Sequence, residues 1–314
     1  MIGDGMVKYS IIIPVHNNEH TLEQTLRSVF WQRKQFDEII LVENGSNDRS
    51  LAIADTYAKE VPAVSVIKSS QAGVSRARNI GVQAATGDYL FFLDADDMMH
   101  ETLLFELDKY VQQALTDGDT TDLYEVNFNH YFSHDIYMVN SYILPNGIYR
   151  GDDYLTQTLT KFQAESKFMV WRFLYKRAFF LKDHKLFDER LGIFEDVAFM
   201  HKYLTKDVTI YVTEQRPFID YLFHEQSVTR KKEQTFEQSL TRAYSSIDEP
   251  SILQQQYFLL LASKILSKKN FIAFAQQAKL SHGLPLMITY YTLKGKNLTR
   301  RLKRRWQRKH DSKI

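Results

Sequence analysis

Four short apolar runs in the N-terminal part of this chain each end in polar side chains and are each followed by a helical pattern. Tyr9–Val15 (YSIIIPV) runs into His16-Asn17-Asn18-Glu19, and Leu22, Leu26 and Val29 then recur at helical spacing. Glu38–Val42 (EIILV) runs into Glu43-Asn44-Gly45-Ser46-Asn47-Asp48, ahead of a helix through Leu51, Ala54 and Ala58. Val64–Ile67 is the third run, with a helix expected over Val74–Ala85 and Gly87 as its stop. Tyr89–Leu93 is the fourth, and it breaks off in Asp94, Asp96 and Asp97 before a helix expected from Met98 to Val111. Strand and helix alternating in this way predict an α/β fold with a mostly parallel, doubly wound sheet, because each parallel crossover needs a helix and buries both sheet faces. Ligands in such sheets bind beyond the carboxyl ends of the strands. Neighbouring strands lie about 4.8 Å apart, so Asn17, Glu43 and Asp94 are expected along one crevice.

The acids after Tyr89–Leu93 have two readings. Clustered carboxylates raise one another's pKa unless a cation sits among them, and hard oxygen donors at this spacing suit Mg²⁺ or Mn²⁺. The same acids also suit a helix start, one as the N-cap and another on the helix dipole. The stretch alone leaves both open.

After Val111 the pattern changes. Thr120–Asn140 and Ser141–Tyr149 are aromatic and partly alternating, with a Pro145-Asn146-Gly147 turn, and predict two or three strands or edge elements. Asp152–Thr160 and Trp171–Leu181 read as helices, Phe187–Phe194 as a loop, and Glu195–Leu204 as a helix. Val208–Val212 and Pro217–Phe223 read as two short strands. From Lys232 onward the pattern is helical, with Ser251–Ile265 expected to be strongly amphipathic, and these C-terminal helices together are expected to offer a surface for self-association into a homo-oligomer.

The chain has no cysteine, which excludes disulfides, thiolate metal sites and cysteine nucleophiles. No stretch approaches the roughly 20 apolar residues of a membrane span, and the first ten residues lack a signal-peptide pattern, so a cytoplasmic location is expected. The formal net charge is +2, yet from Lys294 onward ten basic side chains face the single acid Asp311. That tail suits either peripheral contact with anionic lipid headgroups at the inner face of a membrane or a solvated terminus. The body shows no nucleic-acid recognition motif beside it, so no nucleic-acid partner is expected.

Four stretches together, Ile11–Glu19 (IIIPVHNNE), Glu38–Ser50 (EIILVENGSNDRS), Gly73–Gly81 (GVSRARNIG) and Gly87–Asp97 (GDYLFFLDADD), resemble the nucleotide-sugar-binding half of family 2 glycosyltransferases of the GT-A, Rossmann-like fold. Phe194-Glu195-Asp196 resembles the acidic pair of their acceptor-facing half, and His224–Thr229 their late loop near the diphosphate. The resemblance implies a glycosyltransferase domain over residues 1–230, with a donor half at about 8–111 and an acceptor half at about 112–230, followed by a helical region at 231–314. It implies an inverting transfer from a UDP-sugar to a hydroxyl of a bacterial-type surface glycan, a teichoic-acid-like polymer, a glycoprotein or a lipid-linked acceptor. It places Pro14, Val15, Asn17, Glu19, Glu43, Asn44, Gly73, Arg78, Asn79, Asp94, Ala95 and Asp96 around the donor, with Arg78 on phosphate or base, Asp94 near the ribose and Asp96 on a Mn²⁺ or Mg²⁺ ion. Asp97 is left as a supporting or helix-capping residue. His224 is implied as a further metal ligand or a diphosphate donor, with Arg230 and Lys231 beside it. Asp196 is implied as the general base, with Glu195 as its alternative or as an acceptor-orienting neighbour, although two acids at a helix start also suit the helix dipole alone. A non-catalytic nucleotide-sugar-binding scaffold is the competing class. Trp171, Tyr175 and Trp306 could stack on a sugar, with core packing the default.

Overall fold

The computed structural model describes residues 6–132, 136–139, 144–162, 168–223 and 233–280. In chain order its strands and helices are β1 (Tyr9–Val15), α1 (Leu22–Phe30), β2 (Glu38–Glu43), α2 (Ser50–Glu60), β3 (Val64–Lys68), α3 (Val74–Ala84), β4 (Tyr89–Phe92), β5 (Met98–Met99) and α4 (Leu103–Thr116). There follow β6 (Leu123–Phe132), β7 (Ile136–Val139), β8 (Gly147–Arg150), α5 (Gly151–Phe162), β9 (Phe173–Lys176), α6 (Arg177–Leu181), α7 (Glu195–Tyr203), β10 (Thr209–Phe223), α8 (Glu233–Ser245), α9 (Ile252–Ile265) and α10 (Lys268–Gln277).

The sheet runs β3-β2-β1-β4-β9-β6-β10-β5, with β7 paired to β6 and β8 to β10. Its first four strands are parallel, as the alternation predicts, whereas β9 runs antiparallel to both β4 and β6. All seven residues of β1 are buried, because β2 and β4 flank it and helices cover the sheet. Strand order reverses at β1, so β1, β2 and β4 deliver their carboxyl ends to one crevice. α3 lies tight against β1: a Cβ on Gly81 would stand 2.3 Å from Ile12 Cγ2.

Five expectations are corrected. Met98–Met99 is not helical but pairs antiparallel with Ile219–Asp220 of β10, and the helix begins at Leu103 with Thr102 at its N-cap. Asp97 therefore caps no helix; it is fully buried, and its N–H closes a turn onto the Asp94 carbonyl at 3.0 Å. Trp171–Leu181 is not one helix, since β9 occupies Phe173–Lys176 and Arg177–Leu181 forms a short helix after it. The two expected strands near 208–223 are one long strand, with its register against β6 shifting between Val212 and Ile219. Gly87 is not a left-handed stop: α3 ends at Ala84, and a Cβ on Gly87 would meet Ser10 Oγ at 2.5 Å and the Lys8 carbonyl at 3.1 Å.

α9 begins with a capping box between Ser251 and Gln254. It is apolar around most of its circumference rather than on one stripe: Tyr257, Phe258, Leu259 and Ala262 are buried, because α5, α8 and α10 all pack on it. The tail from Lys294, including Trp306, lies outside the described residues.

Gly81→Ala tests the α3–β1 contact. An exposed helical glycine would gain about 0.5–1 kcal/mol on this change. Here the added methyl meets Ile12, overpacking costs about 1–3 kcal/mol, and net destabilisation is expected in urea unfolding of the full chain.

Candidate active site

The β1–α1 and β2–α2 turns interlock at the mouth of the crevice. Asn17, held in the left-handed region at φ 55°, accepts the Asn47 N–H at 2.9 Å and donates its own N–H to Ser46 Oγ at 3.2 Å. Glu19 accepts the Arg49 N–H at 3.2 Å, while its N–H bonds Asp48 at 3.1 Å. Glu43 is buried, which raises a carboxyl pKa, but the N–H groups of Ser46 and Gly45 and the Ser46 hydroxyl outweigh burial and hold it below the usual range. Asn44 is also buried, and its Oδ1 accepts the Gly73 N–H at 2.7 Å. Gly73 opens α3 at φ 151°, a conformation that favours glycine. Pro14 and Val15 end β1 beside these turns, with Val15 in register with Glu43. The expected base and ribose contacts thus form one hydrogen-bonded wall.

The acids after β4 form a turn rather than a helix start. Thr21, ahead of α1, donates its hydroxyl to the Ala95 carbonyl at 2.9 Å and ties down the turn's middle. Asp94 and Asp96 are half-buried at the crevice.

Arg78 lies beside the expected donor-side acid Asp94, with carboxylates as its partners in the structure. Its guanidinium is buried between two carboxylates, donating to Asp94 Oδ1 at 3.0 Å and to Glu195 Oε1 at 2.7 Å. Burial alone would lower its pKa, but these partners raise it and keep the charge. Asn79 faces away from the donor wall: it donates to the Phe187 carbonyl at 3.0 Å and to Glu189 at 3.1 Å, and it accepts the Phe187 N–H at 2.9 Å. It anchors the loop ahead of the acid pair. Arg76 reaches Gln71 and Glu189 on the exposed side.

Glu195 and Asp196 open α7, and their surroundings separate them. Glu195 is engaged by Arg78. Asp196 accepts the Val197 N–H at 2.7 Å, and its pKa is pushed up to about 7, first by burial and then by the Glu195 charge, with Arg78 opposing. A carboxyl poised there suits proton abstraction near neutral pH. Phe194 before the pair sits in the left-handed region at φ 63°, an arrangement that costs on the order of 1–3 kcal/mol in a bulky residue.

Sequence reasoning missed Tyr221. Its pKa is raised by burial and then by the charges of Asp97, Asp94, Asp96 and Asp196, so its hydroxyl feels both sets of acids. Trp171 stacks on it with centroids 5.5 Å apart and 22° between planes. Nothing in the IDYLF stretch separates Tyr221 from its neighbours; its partners come from β4 and α7. Trp171 and Tyr175 are themselves core residues, with the Tyr175 hydroxyl bonded to the Val170 carbonyl at 3.0 Å.

Among the described residues no three Asp, Glu or His side chains converge as a preformed metal cage. The donor set still fits a hard divalent cation, since Mg²⁺ is commonly held by one or two carboxylates with substrate phosphates and water completing its shell. Asp96, with Asp94 two residues before it, would be the carboxylate to hold it. His224, Arg230 and Lys231 lie outside the described residues.

A family model described as Glycosyl transferase family 2 matches residues 10–188. EpsJ of Bacillus subtilis (strain 168), an uncharacterized glycosyltransferase, is 33% identical over 60% of this chain and 54% of its own length. YibD of Escherichia coli (strain K12), also an uncharacterized glycosyltransferase, is 30% identical over 71% of this chain and 63% of its own. The chain thus spans a little over half the length of these relatives. Among solved structures, S. aureus TarS 1-349 in complex with UDP-GlcNAc superposes with a TM-score of 0.66, at 14% identity over 93% of this chain and 92% of that one. At that identity the likeness speaks for the fold.

Removing the Arg78 charge leaves two partly buried carboxylates facing each other. Arg78→Met is expected to cost about 3 kcal/mol, the low end for breaking a buried ion pair, because the Asp94 side chain keeps 32% exposure. Adding Glu195→Gln should restore part of the loss, as read from denaturant midpoints.

Proposed function

The chain belongs to glycosyltransferase family 2, and from that premise we propose that it transfers a sugar from a UDP-sugar to a hydroxyl acceptor with inversion at the anomeric carbon. The single observation that carries this reading is Asp196. It is a carboxyl raised to about 7 that shares Tyr221 as a neighbour with Asp94 and Asp96. Donor-side and acceptor-side acids are also joined directly, since Arg78 bonds both Asp94 and Glu195, the residue next to Asp196.

In this proposal the wall from Pro14 to Glu19 and from Glu43 to Gly73 receives the uridine. Asp94 lies toward the ribose and diphosphate, and Asp96 would hold a Mn²⁺ or Mg²⁺ ion with donor phosphate oxygens. When bound, that ion supplies Lewis-acid stabilisation of the charge growing on the leaving diphosphate. Asp196 accepts the proton of the acceptor hydroxyl as its oxygen bonds to the anomeric carbon. The bond from that carbon to the diphosphate oxygen breaks at the same time, and UDP leaves with the electron pair. Arg78 holds Glu195, which keeps the neighbouring carboxylate placed and leaves Asp196 for the proton. The UDP-GlcNAc bound by TarS favours an N-acetylhexosamine or hexose as the transferred sugar. The proposed acceptor class is a bacterial-type surface glycan, teichoic-acid-like polymer or glycoprotein.

UDP release from UDP-glucose, UDP-galactose, UDP-GlcNAc and UDP-GalNAc with Mn²⁺ is the direct test. Asp196→Asn should lower turnover about 10²–10⁴-fold while leaving UDP affinity intact, and Asp96→Ala should lose both turnover and metal-dependent UDP binding. Unchanged turnover in both variants would sink the mechanism.

The rate should rise with pH through about 7, since the base works deprotonated. Stability moves the other way. A carboxyl whose folded pKa is raised contributes stability that is complete below its ordinary value of about 3.9 and is lost as pH rises through about 7. Asp196→Asn should therefore raise Tm more at pH 8 than at pH 4.

A further inference from the structure

The loop from Phe187 to Phe194 delivers the acid pair, and it is gripped from two sides. On the donor side α3 holds it, with Ser75 Oγ donating to the Leu191 carbonyl at 3.0 Å and Asn79 bonded to both backbone groups of Phe187. On the other side stands α8. Arg242 donates to the Arg190 carbonyl at 2.7 Å, and the Phe236 ring packs on Phe194 with centroids 6.0 Å apart and 53° between planes.

Phe194 is the residue whose backbone turns the loop into α7, at φ 63° and ψ 16°. An aromatic residue does not hold that conformation by local preference. The local sequence offers Gly192, yet Gly192 stays outside the left-handed region and the ring-bearing Phe194 takes the strain. A surrounding contact must over-determine it. The ring is the handle through which such a contact acts, and on the side of α8 it meets Phe236, which is itself buried. Release of Phe194 toward ordinary backbone angles would rotate the Glu195 and Asp196 peptides and swing both carboxyls.

We propose that Phe236 on α8 is a positioning residue for the Asp196 base, its ring holding Phe194 in the left-handed turn that aims the first turn of α7 at the crevice. The inference rests on Asp196 being the base. It gives the helices after the glycosyltransferase half a part in the reaction: α8 sets the acceptor-side acid, while β4 sets the donor-side acids.

The test uses the full chain with Phe236→Ala and Phe236→Leu, assayed by UDP release from whichever of the four UDP-sugars the wild type turns over best. Phe236→Ala should lower kcat about 10- to 100-fold, with the donor KM within about twofold of wild type. Phe236→Leu, which keeps apolar bulk against Phe194, should recover most of it. An unchanged kcat, or a parallel loss of donor binding, would overturn the inference. A second readout needs no turnover: amide exchange over Ile193–Val197 should speed up about tenfold in Phe236→Ala, with β1 and β4 unchanged. Failure to release UDP from any donor would count against the proposed function alone, whereas unaltered exchange at Ile193–Val197 would overturn the role of Phe236.

Discussion

A guanidinium that is 4% exposed must find anions, and Arg78 finds two from distant parts of the chain. Asp94 follows β4, while Glu195 lies 117 residues beyond Arg78, at the start of α7. Burying the three together is no net source of stability by itself, since desolvation offsets much of the attraction. Its effect is geometric. Any packing of the acceptor half that separated α7 from β4 would strand a buried charge, so the ion trio selects the arrangement in which donor-side and acceptor-side acids meet. α3 reinforces that choice from the next residue, because Asn79 bonds the loop ahead of α7.

Two adjacent acids acquire different chemistry from this arrangement. Glu195 is paired with Arg78, whereas Asp196 is left with burial and the Glu195 charge beside it, which push its pKa up. Tyr221 stacks on Trp171 as an aromatic floor, and it rests on the core. Phe128 meets Trp171 edge-on at 4.8 Å, and the Arg172 guanidinium lies 5.2 Å from the centre of the Phe128 ring. Arg172 is in turn paired with fully buried Glu125, which also accepts the Tyr154 hydroxyl at 2.7 Å. A second buried ion pair thus underlies the aromatic floor, as the first fixes the acids around it.

The donor half was legible because its signals are local. β1, β2 and β4 are nearly continuous apolar runs, as strands buried on both faces must be, β3 is the part-exposed edge, and the acids after Leu93 mark where β4 ends. The acceptor half was less so. β9 is four residues long and runs into the apolar helix Arg177–Leu181, and short apolar runs do not distinguish strand from helix. Met98–Met99 is extended because β10, far along the chain, pairs with it, and no nearby residue encodes that partner. Gly87 looked like a helix stop, but the constraint on it is the space left by Ser10 and Lys8.

The sequence by itself determined the alternation that builds the sheet, the carboxylates at the end of β4, the acid pair at the start of α7 and the likeness to glycosyltransferase family 2. Periodicity, burial and strand-end chemistry are properties of neighbouring residues, so they can be read in order. Tertiary structure alone decided that Arg78 pairs with Asp94 and Glu195, that Asn79 holds a loop, that Tyr221 feels the charges of both sets of acids, and that Asp196 carries a raised pKa. The partner of a buried charge and the depth at which a carboxyl is buried depend on groups brought near by folding, as Arg78 is brought to Glu195 from 117 residues away.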